Sequence, residues 1–226
     1  MSGIVYEETV AEVFTYLAWD VAPRRVGPFV LPHRGRAMKA KALASRAVEV
    51  AAQPGVSRVR VLQSTFVPPL RGGPRFDLVV LAHGDREVTK DLLSAARSAG
   101  LPEPVQALTA RNAARFGATE ATDGNILLNH FAGKAAASDA AASDAVAAWK
   151  AASARYGGVL HVDNSTLLQF DPPTPFVIVN YARIPGAVPP FMLQQILRPS
   201  FYRNVTAVLR RVGIRPFPIF LRSVIA

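Results

Sequence analysis

The side chains best suited to chemistry lie in two strand-like segments of the second half of the chain. In LLNHFA, residues 127–132, Leu128 and His130 share one face of the predicted strand. In VIVNYAR, residues 177–183, Tyr181 and Arg183 share a face in the same way. A neutral imidazole is the usual general base near cellular pH, and a phenol or guanidinium can hold a developing enolate or carboxylate. We therefore predict His130 as base, Tyr181 as hydrogen-bond donor and Arg183 as anion anchor.

A second set of polar residues falls on the corresponding faces of other predicted strands. Polar side chains that point into an enclosed space need a protein partner or a ligand, because burying them unpaired costs about 1–3 kcal/mol each. The predicted ligand-contacting residues are Tyr16, Asp77, His83, His161 and Asp163. The alternative for each histidine is a structural residue whose hydrogen bonds are satisfied within the fold.

The elements that position these residues are indicated by an internal echo. The segment QSTFVPPLRGGPRFDLVVLAH, residues 63–83, resembles NSTLLQFDPPTPFVIVNYAR, residues 164–183. When Ser64-Thr65 is aligned with Ser165-Thr166, each copy runs through a proline-containing turn into an apolar stretch rich in β-branched residues. Such runs bounded by Pro and Gly are typical of strands joined as a hairpin. Chance similarity between two hairpins is the alternative explanation.

The segments around the two hairpins repeat as well. Helical spacing of apolar residues precedes each hairpin, at 35–53 and at 143–158, where Ser138 suggests a start and Gly157-Gly158 a stop. Another helix follows each hairpin, the last predicted over 189–213. Each half therefore has the order β-α-β-β-α-β, which is the ferredoxin-like unit. We expect two such repeats, at 1–118 and 119–226, whose sheets pack face to face as one pseudo-symmetric α+β barrel.

With this element order the chain resembles the dimeric α/β barrel superfamily. The second half carries the local signature, AWKAASARYGGVLHV at 148–162 followed by TPFVIVNYARI at 174–184, with RYGG at 155–158. The superfamily includes antibiotic-biosynthesis-type monooxygenases, small polyketide cyclases, haem-degrading oxygenases and chlorite-dismutase-like haem proteins. The resemblance implies a ligand site between the helix-free sheet faces.

Charge and composition indicate the kind of partner. The net charge is +10, and the chain after Asp171 has seven arginines and no acidic residue. Such a surface favours an anionic partner, although a simply solvated basic face is the alternative. The helix 189–213 is basic and amphipathic, so it either packs on the sheet or contacts a membrane surface. Pairing of the sheets would hide the surface that nucleic acid needs, so no clear nucleic-acid site is predicted.

Several function classes lack their sequence signals. There is no cysteine, no P-loop, no dinucleotide-binding glycine pattern, no zinc-protease motif and no nucleophile elbow. We expect no metal site and no cofactor, with haem ligation by a single histidine as an alternative. The acidic N-terminal segment does not resemble a signal peptide, which favours a cytoplasmic protein, and pairing with a second copy remains open.

These observations predict a small-molecule-binding barrel that acts on an anionic or aromatic metabolite. The leading hypothesis is a cofactor-independent enzyme of oxygenase, cyclase or isomerase type that uses general acid/base chemistry. The alternatives are a non-catalytic barrel that binds a ligand or a partner, and a haem-binding member.

Overall fold

The computed structural model describes residues 6–7, 12–22, 24–54, 56, 58–84, 86–117, 124–133, 139–160, 162–172 and 174–224. These residues form two compact units. The N-terminal unit comprises the described parts of Ala11–Arg111 and Ile219–Ala226. The C-terminal unit comprises the described parts of Met1–Val10 and Asn112–Pro218.

The N-terminal unit has an antiparallel sheet with helices on one face. Its elements are β1 Val13–Trp19, β2 Arg25–Val26, β3 Phe29–Val30, α1 Arg34–Ala51, β4 Arg58–Phe66, β5 Leu78–His83, α2 Arg86–Ser98 and the first part of β6 Gln106–Phe116. The strand order is β6-β1-β5-β4-β3-β2, and the end of a last strand, β10 Arg215–Ser223, also pairs with β4. The short β2–β3 hairpin was not predicted from the sequence.

Helix α1 forms because its apolar residues recur at helical spacing. Ala40, Leu43, Ala47 and Val50 are buried on one side of the helix and join the core with Leu17 and Trp19 of β1. The helix begins after His33, whose Nδ1 accepts a hydrogen bond from the Arg36 backbone N–H at 3.3 Å.

The C-terminal unit has the same order of main elements. They are β7 Asn125–Ala132, α3 Asp139–Leu160, β8 Ser165–Phe170, β9 Ile178–Ile184, α4 Val188–Leu197, α5 Pro199–Phe201, a π-helical turn Tyr202–Thr206, α6 Ala207–Arg211 and the first part of β10. The strand order is β10-β7-β9-β8, followed by the end of β6. On the helix side, Phe131, Trp149, Leu167 and Ile178 form the core.

Two helix predictions are wrong. The expected stop at Gly157-Gly158 does not occur, since α3 continues to Leu160. The single helix expected over 189–213 is broken after Leu197, where Arg198 is extended at φ −100° and ψ 108°. Pro199 follows directly, and the ring of a proline disfavours the helical conformation of the residue before it. No helix in the described ranges is long and apolar enough to cross a membrane.

The hairpins exist, but the Ser-Thr alignment that suggested the repeat does not match their pairing. Gln63 pairs with Leu78 as the last paired residue of β4, so Ser64 lies just beyond the β4–β5 ladder. Thr166 instead pairs with Tyr181 as the first paired residue of β8. The two Ser-Thr pairs therefore occupy opposite ends of their hairpins and are not equivalent positions.

Candidate functional site

The predicted catalytic residues His130 and Tyr181 share one face of the C-terminal sheet. Strands β7 and β9 are antiparallel neighbours, with His130 opposite Val179 and Leu128 opposite Tyr181. Side chains opposite each other project from the same face, so the imidazole and the phenol are diagonal neighbours. Phe131, the next residue along β7, lies in the core under the helices, which puts His130 and Tyr181 on the helix-free face.

His130 is closed to solvent. Its side chain has no exposed surface, its ring centroid lies 5.1 Å from that of Phe176, and it hydrogen-bonds the Phe217 backbone. Burial lowers the pKa of His130 to about 3, and the Phe217 hydrogen bond offsets this only in part. The imidazole is therefore neutral at cellular pH and has a lone pair with which to accept a proton.

Tyr181 and Arg183 have different surroundings although they lie on the same face of β9. Tyr181 is 1% exposed, whereas the Arg183 side chain is 32% exposed. The Arg183 guanidinium lies 4.0 Å from the carboxylate of Asp163. The side-chain amide of Asn164 accepts a hydrogen bond from the Arg183 N–H and donates one to its carbonyl oxygen, at 2.8 and 3.2 Å. Asn164 thus fixes the backbone of Arg183 at the end of the buried face.

The two remaining candidates of this unit lie just before β8. The Asp163 side chain is 75% exposed, and its carboxylate accepts a hydrogen bond from Asn164 at 2.7 Å. His161 lies outside the described residues. The structure therefore places Asp163 near Arg183, at the solvent-exposed end of the face rather than beside His130.

The N-terminal unit holds the other three predicted residues at separate places. Tyr16 on β1 is fully buried, its ring lies 6.4 Å from that of Phe76, and burial raises its pKa well above the ordinary value. His83 at the end of β5 is half-buried, with its ring centroid 5.2 Å from that of Phe14. Tyr16 was matched with His130 by sequence, but its cross-strand partner is Leu81, whereas His130 faces Val179.

Asp77 forms a buried ion pair that the sequence did not predict. Its carboxylate is fully buried, lies 3.2 Å from the guanidinium of Arg36 on α1, and accepts a hydrogen bond from the Val21 N–H at 2.6 Å. Burial raises the pKa of Asp77 above its ordinary value, more than Val21 and Arg36 lower it. Asp77 is therefore engaged with the helix rather than free for a ligand.

Arg36 is a residue of interest that sequence reasoning missed. A signal was present in HRGR, residues 33–36, because arginine is unfavourable in the first turn of a helix, where the dipole is positive. Among the described residues, no group of three or more His, Asp or Glu side chains is arranged to hold a metal ion.

Comparison with known proteins adds information on the fold. The sequence matches no family model and no curated protein sequence. Solved structures do match. An anthrone oxidase-like protein is 10% identical, with a TM-score of 0.56 and 97% of each chain covered. A protein described as a chlorite dismutase is 10% identical, with a TM-score of 0.52 and 95% of each chain covered.

A third similar structure is a protein from Fusobacterium nucleatum described as a monooxygenase. It is 6% identical, with a TM-score of 0.51, and the match covers 94% of this chain and 91% of the other. At such identities the likeness shows the fold alone, which is a mixed α+β fold of the dimeric α/β barrel kind.

Proposed function

We propose that this protein binds a small, enolisable aromatic or anionic molecule against the helix-free face of the C-terminal unit and oxidises it without a cofactor. The observation that supports this proposal best is the pairing of a neutral, fully buried imidazole with a buried tyrosine on adjacent strands. The likeness in fold to an anthrone oxidase-like protein and to a protein described as a monooxygenase agrees with it.

His130 acts as the base in this proposal. A base with a pKa of about 3 is weak when the site is empty, because the imidazolium is not solvated. An enolate formed beside it would pair with the imidazolium and favour the charged form, so proton transfer becomes feasible only with ligand bound. Tyr181 would donate a hydrogen bond to the enolate oxygen, and Arg183 would hold an acidic substituent at the exposed end of the face.

The chemistry balances with dioxygen as the oxidant. Removal of a proton from carbon gives a carbanion, which transfers its electrons to dioxygen and forms a carbon–oxygen bond. For anthrone, the overall reaction consumes one dioxygen and gives one anthraquinone and one water. A cyclase or isomerase would use the same proton abstraction without dioxygen.

Ligand binding is tested by thermal denaturation with a panel of acidic aromatic compounds. We expect some of them to raise the melting temperature of the wild type and to lose this effect in Tyr181→Phe and Arg183→Ala. Tyr202→Phe and Arg203→Ala are matched controls, since both residues are exposed in the same unit, and they should respond like the wild type. Equal stabilisation of all variants would refute the assigned site.

A non-catalytic barrel that binds a ligand or a partner is the second candidate. It is favoured by the complete burial of His130 against Phe176 and of Tyr181, which is also what side chains filling an interior would show. Stabilisation by a ligand with no turnover of any enolisable compound would support this candidate over the enzyme.

Haem binding fits the described residues poorly. The imidazole of His130 has no exposed surface and is covered by Phe176, so iron could not reach it in this conformation. Adding hemin should therefore give no Soret shift that depends on His130 or His161. A shift lost in His130→Ala or His161→Ala would show a haem-binding protein instead.

Two further proposals concern organisation and partners. The shared element order β-α-β-β-α-β supports two fused repeats, although the Ser-Thr echo does not mark equivalent positions. Contact of residues 189–213 with an anionic membrane surface is supported by exposed Leu193 and Leu197 beside exposed Arg198. Pairing with a second copy of the chain would be measured by light scattering.

A further inference from the structure

A cavity of about 540 Å³ lies in the N-terminal unit at the start of α1, away from the residues discussed above. Its wall includes His33, Arg34 and Arg36 at the beginning of the helix, Ser64 at the end of β4, and Arg222 of β10. Arg222 pairs across the strands with Gln63, which also lines the cavity. The volume lies in the range of pockets for small metabolites.

The charge of this cavity is one-sided. Three arginines contribute to its wall, and none of the described residues that line it is Asp or Glu. The nearby carboxylate of Asp77 pairs with Arg36 alone among these three. Arg34 and Arg222 are exposed, whereas the Arg36 side chain is 6% exposed, so the positive charge runs from the rim to the buried wall.

The helix start adds to this positive potential. The N-terminus of an α-helix carries partial positive charge on its backbone N–H groups, so acidic residues are favoured in the first turn. Helix α1 has 18 residues and no acidic residue in its first turn, which instead contains Arg34 and Arg36. This arrangement repels cations and is stabilised when an anion binds at the helix start.

Buried polar atoms in the wall point independently to a ligand. Within the described part of the chain, Arg36 Nε and Ser64 Oγ are buried and have no hydrogen-bond partner. Ser64 is 1% exposed and Arg36 7% exposed as whole residues. Native structures rarely leave such groups unpaired, and a missing ligand is one of the usual reasons.

We propose that this cavity is a binding site for a phosphate ester. Arginine forks and a helix N-terminus are the groups that proteins use most often for phosphate, and their combination favours the doubly charged phosphoryl group over a carboxylate. The cavity is larger than inorganic phosphate needs, so the ligand carries an organic part. This inference goes beyond the proposed function, because it concerns another unit and other residues.

The test is calorimetric titration of the full chain with phenyl phosphate at fixed ionic strength, with benzoate as the carboxylate comparison. We expect phenyl phosphate to bind more tightly than benzoate. Replacing both exposed arginines, in Arg34→Ala/Arg222→Ala, should weaken the affinity by about tenfold or more, because charge-assisted hydrogen bonds are lost. Arg46→Ala removes an exposed arginine from the same helix outside the cavity and should bind as the wild type does.

The source of the phosphate group is distinguished by a second arm with vesicles of phosphatidylcholine containing phosphatidic acid. Sedimentation with these vesicles that depends on Arg34 and Arg222, without binding of phenyl phosphate, would identify a lipid headgroup as the ligand. Binding of neither probe, or equal weakening in Arg46→Ala, would overturn the proposal. Variants of His130 should bind phenyl phosphate normally, so failure of the proposed function would not affect this result.

Discussion

Burial of His130 predicts a loss of stability on acidification that a single substitution removes. The unfolded chain protonates this imidazole near its ordinary pKa of about 6.5, whereas burial lowers the pKa to about 3 in the folded protein. Below the ordinary pKa the unfolded state binds a proton that the folded state excludes, so the free energy of unfolding falls as the pH falls. Each pH unit costs about 1.4 kcal/mol, which gives about 2 kcal/mol at about pH 5.

The assay is urea unfolding of the wild type and His130→Leu at about pH 8 and about pH 5, within the range set by the two pKa values. Between these conditions the wild type should lose about 2 kcal/mol relative to His130→Leu, because leucine cannot be protonated. Other titrating groups are common to both proteins and cancel in the difference.

Phe131→Leu provides the control for the loss of packing on the same strand. It is also buried on β7 but retains His130, so its deficit relative to the wild type should be the same at both pH values. A pH-independent difference between the wild type and His130→Leu would refute the claim that the imidazole is buried and neutral.

Three further predictions concern stability, each measured as the free energy of unfolding in urea. Arg36→Ala should cost about 3–5 kcal/mol because it leaves the Asp77 carboxylate buried without its cation; a cost below about 1 kcal/mol, typical of surface pairs, would contradict the buried pair. Gly117→Ala should be strongly destabilising, since φ is +65° and the new Cβ would lie 1.9 Å from a backbone oxygen, whereas Gly27→Ala, at φ +55° in open space, should show only the cost of the backbone conformation; equal effects would contradict the packing at Gly117. Ser64→Ala should raise the stability by about 1 kcal/mol in phosphate-free buffer by removing a buried, unpaired hydroxyl, and a marked loss would show that this hydroxyl has a partner.

The sequence predicted the strands and their faces well because strand periodicity is a local property. Alternation along 127–132 placed Phe131 under the helices and His130 on the opposite face, as the structure confirms. The period of two assigns a face, but it does not determine register. For that reason Tyr16 and His130 were matched although their cross-strand partners differ.

The helices show where local signals compete. Pro199 was a visible reason to divide the segment 189–213, yet the apolar spacing across it suggested one helix. At Gly157-Gly158 the low helix propensity of glycine did not end α3, whose Ala145, Trp149 and Ala152 are buried, because tertiary packing overrides propensity.

Contacts between distant residues lay beyond sequence reasoning. The Arg36–Asp77 pair joins residues 41 positions apart, and only the fold brings α1 to the start of β5. The cavity at α1 likewise combines the chain near residue 34 with Arg222 of the last strand. The basic first turn could have drawn attention to this helix start, but no local pattern could have shown which strands complete the site.

The most direct test of the proposed function is oxygen uptake by the purified protein with anthrone as substrate, in the presence of a metal chelator. The proposal predicts uptake of one dioxygen for each anthraquinone formed, above the spontaneous rate, and a large loss of this activity in Tyr181→Phe but not in Tyr202→Phe. Anthrone bound by the protein yet oxidised only at the spontaneous rate, or equal rates in both variants, would contradict the assignment of His130 and Tyr181 to catalysis.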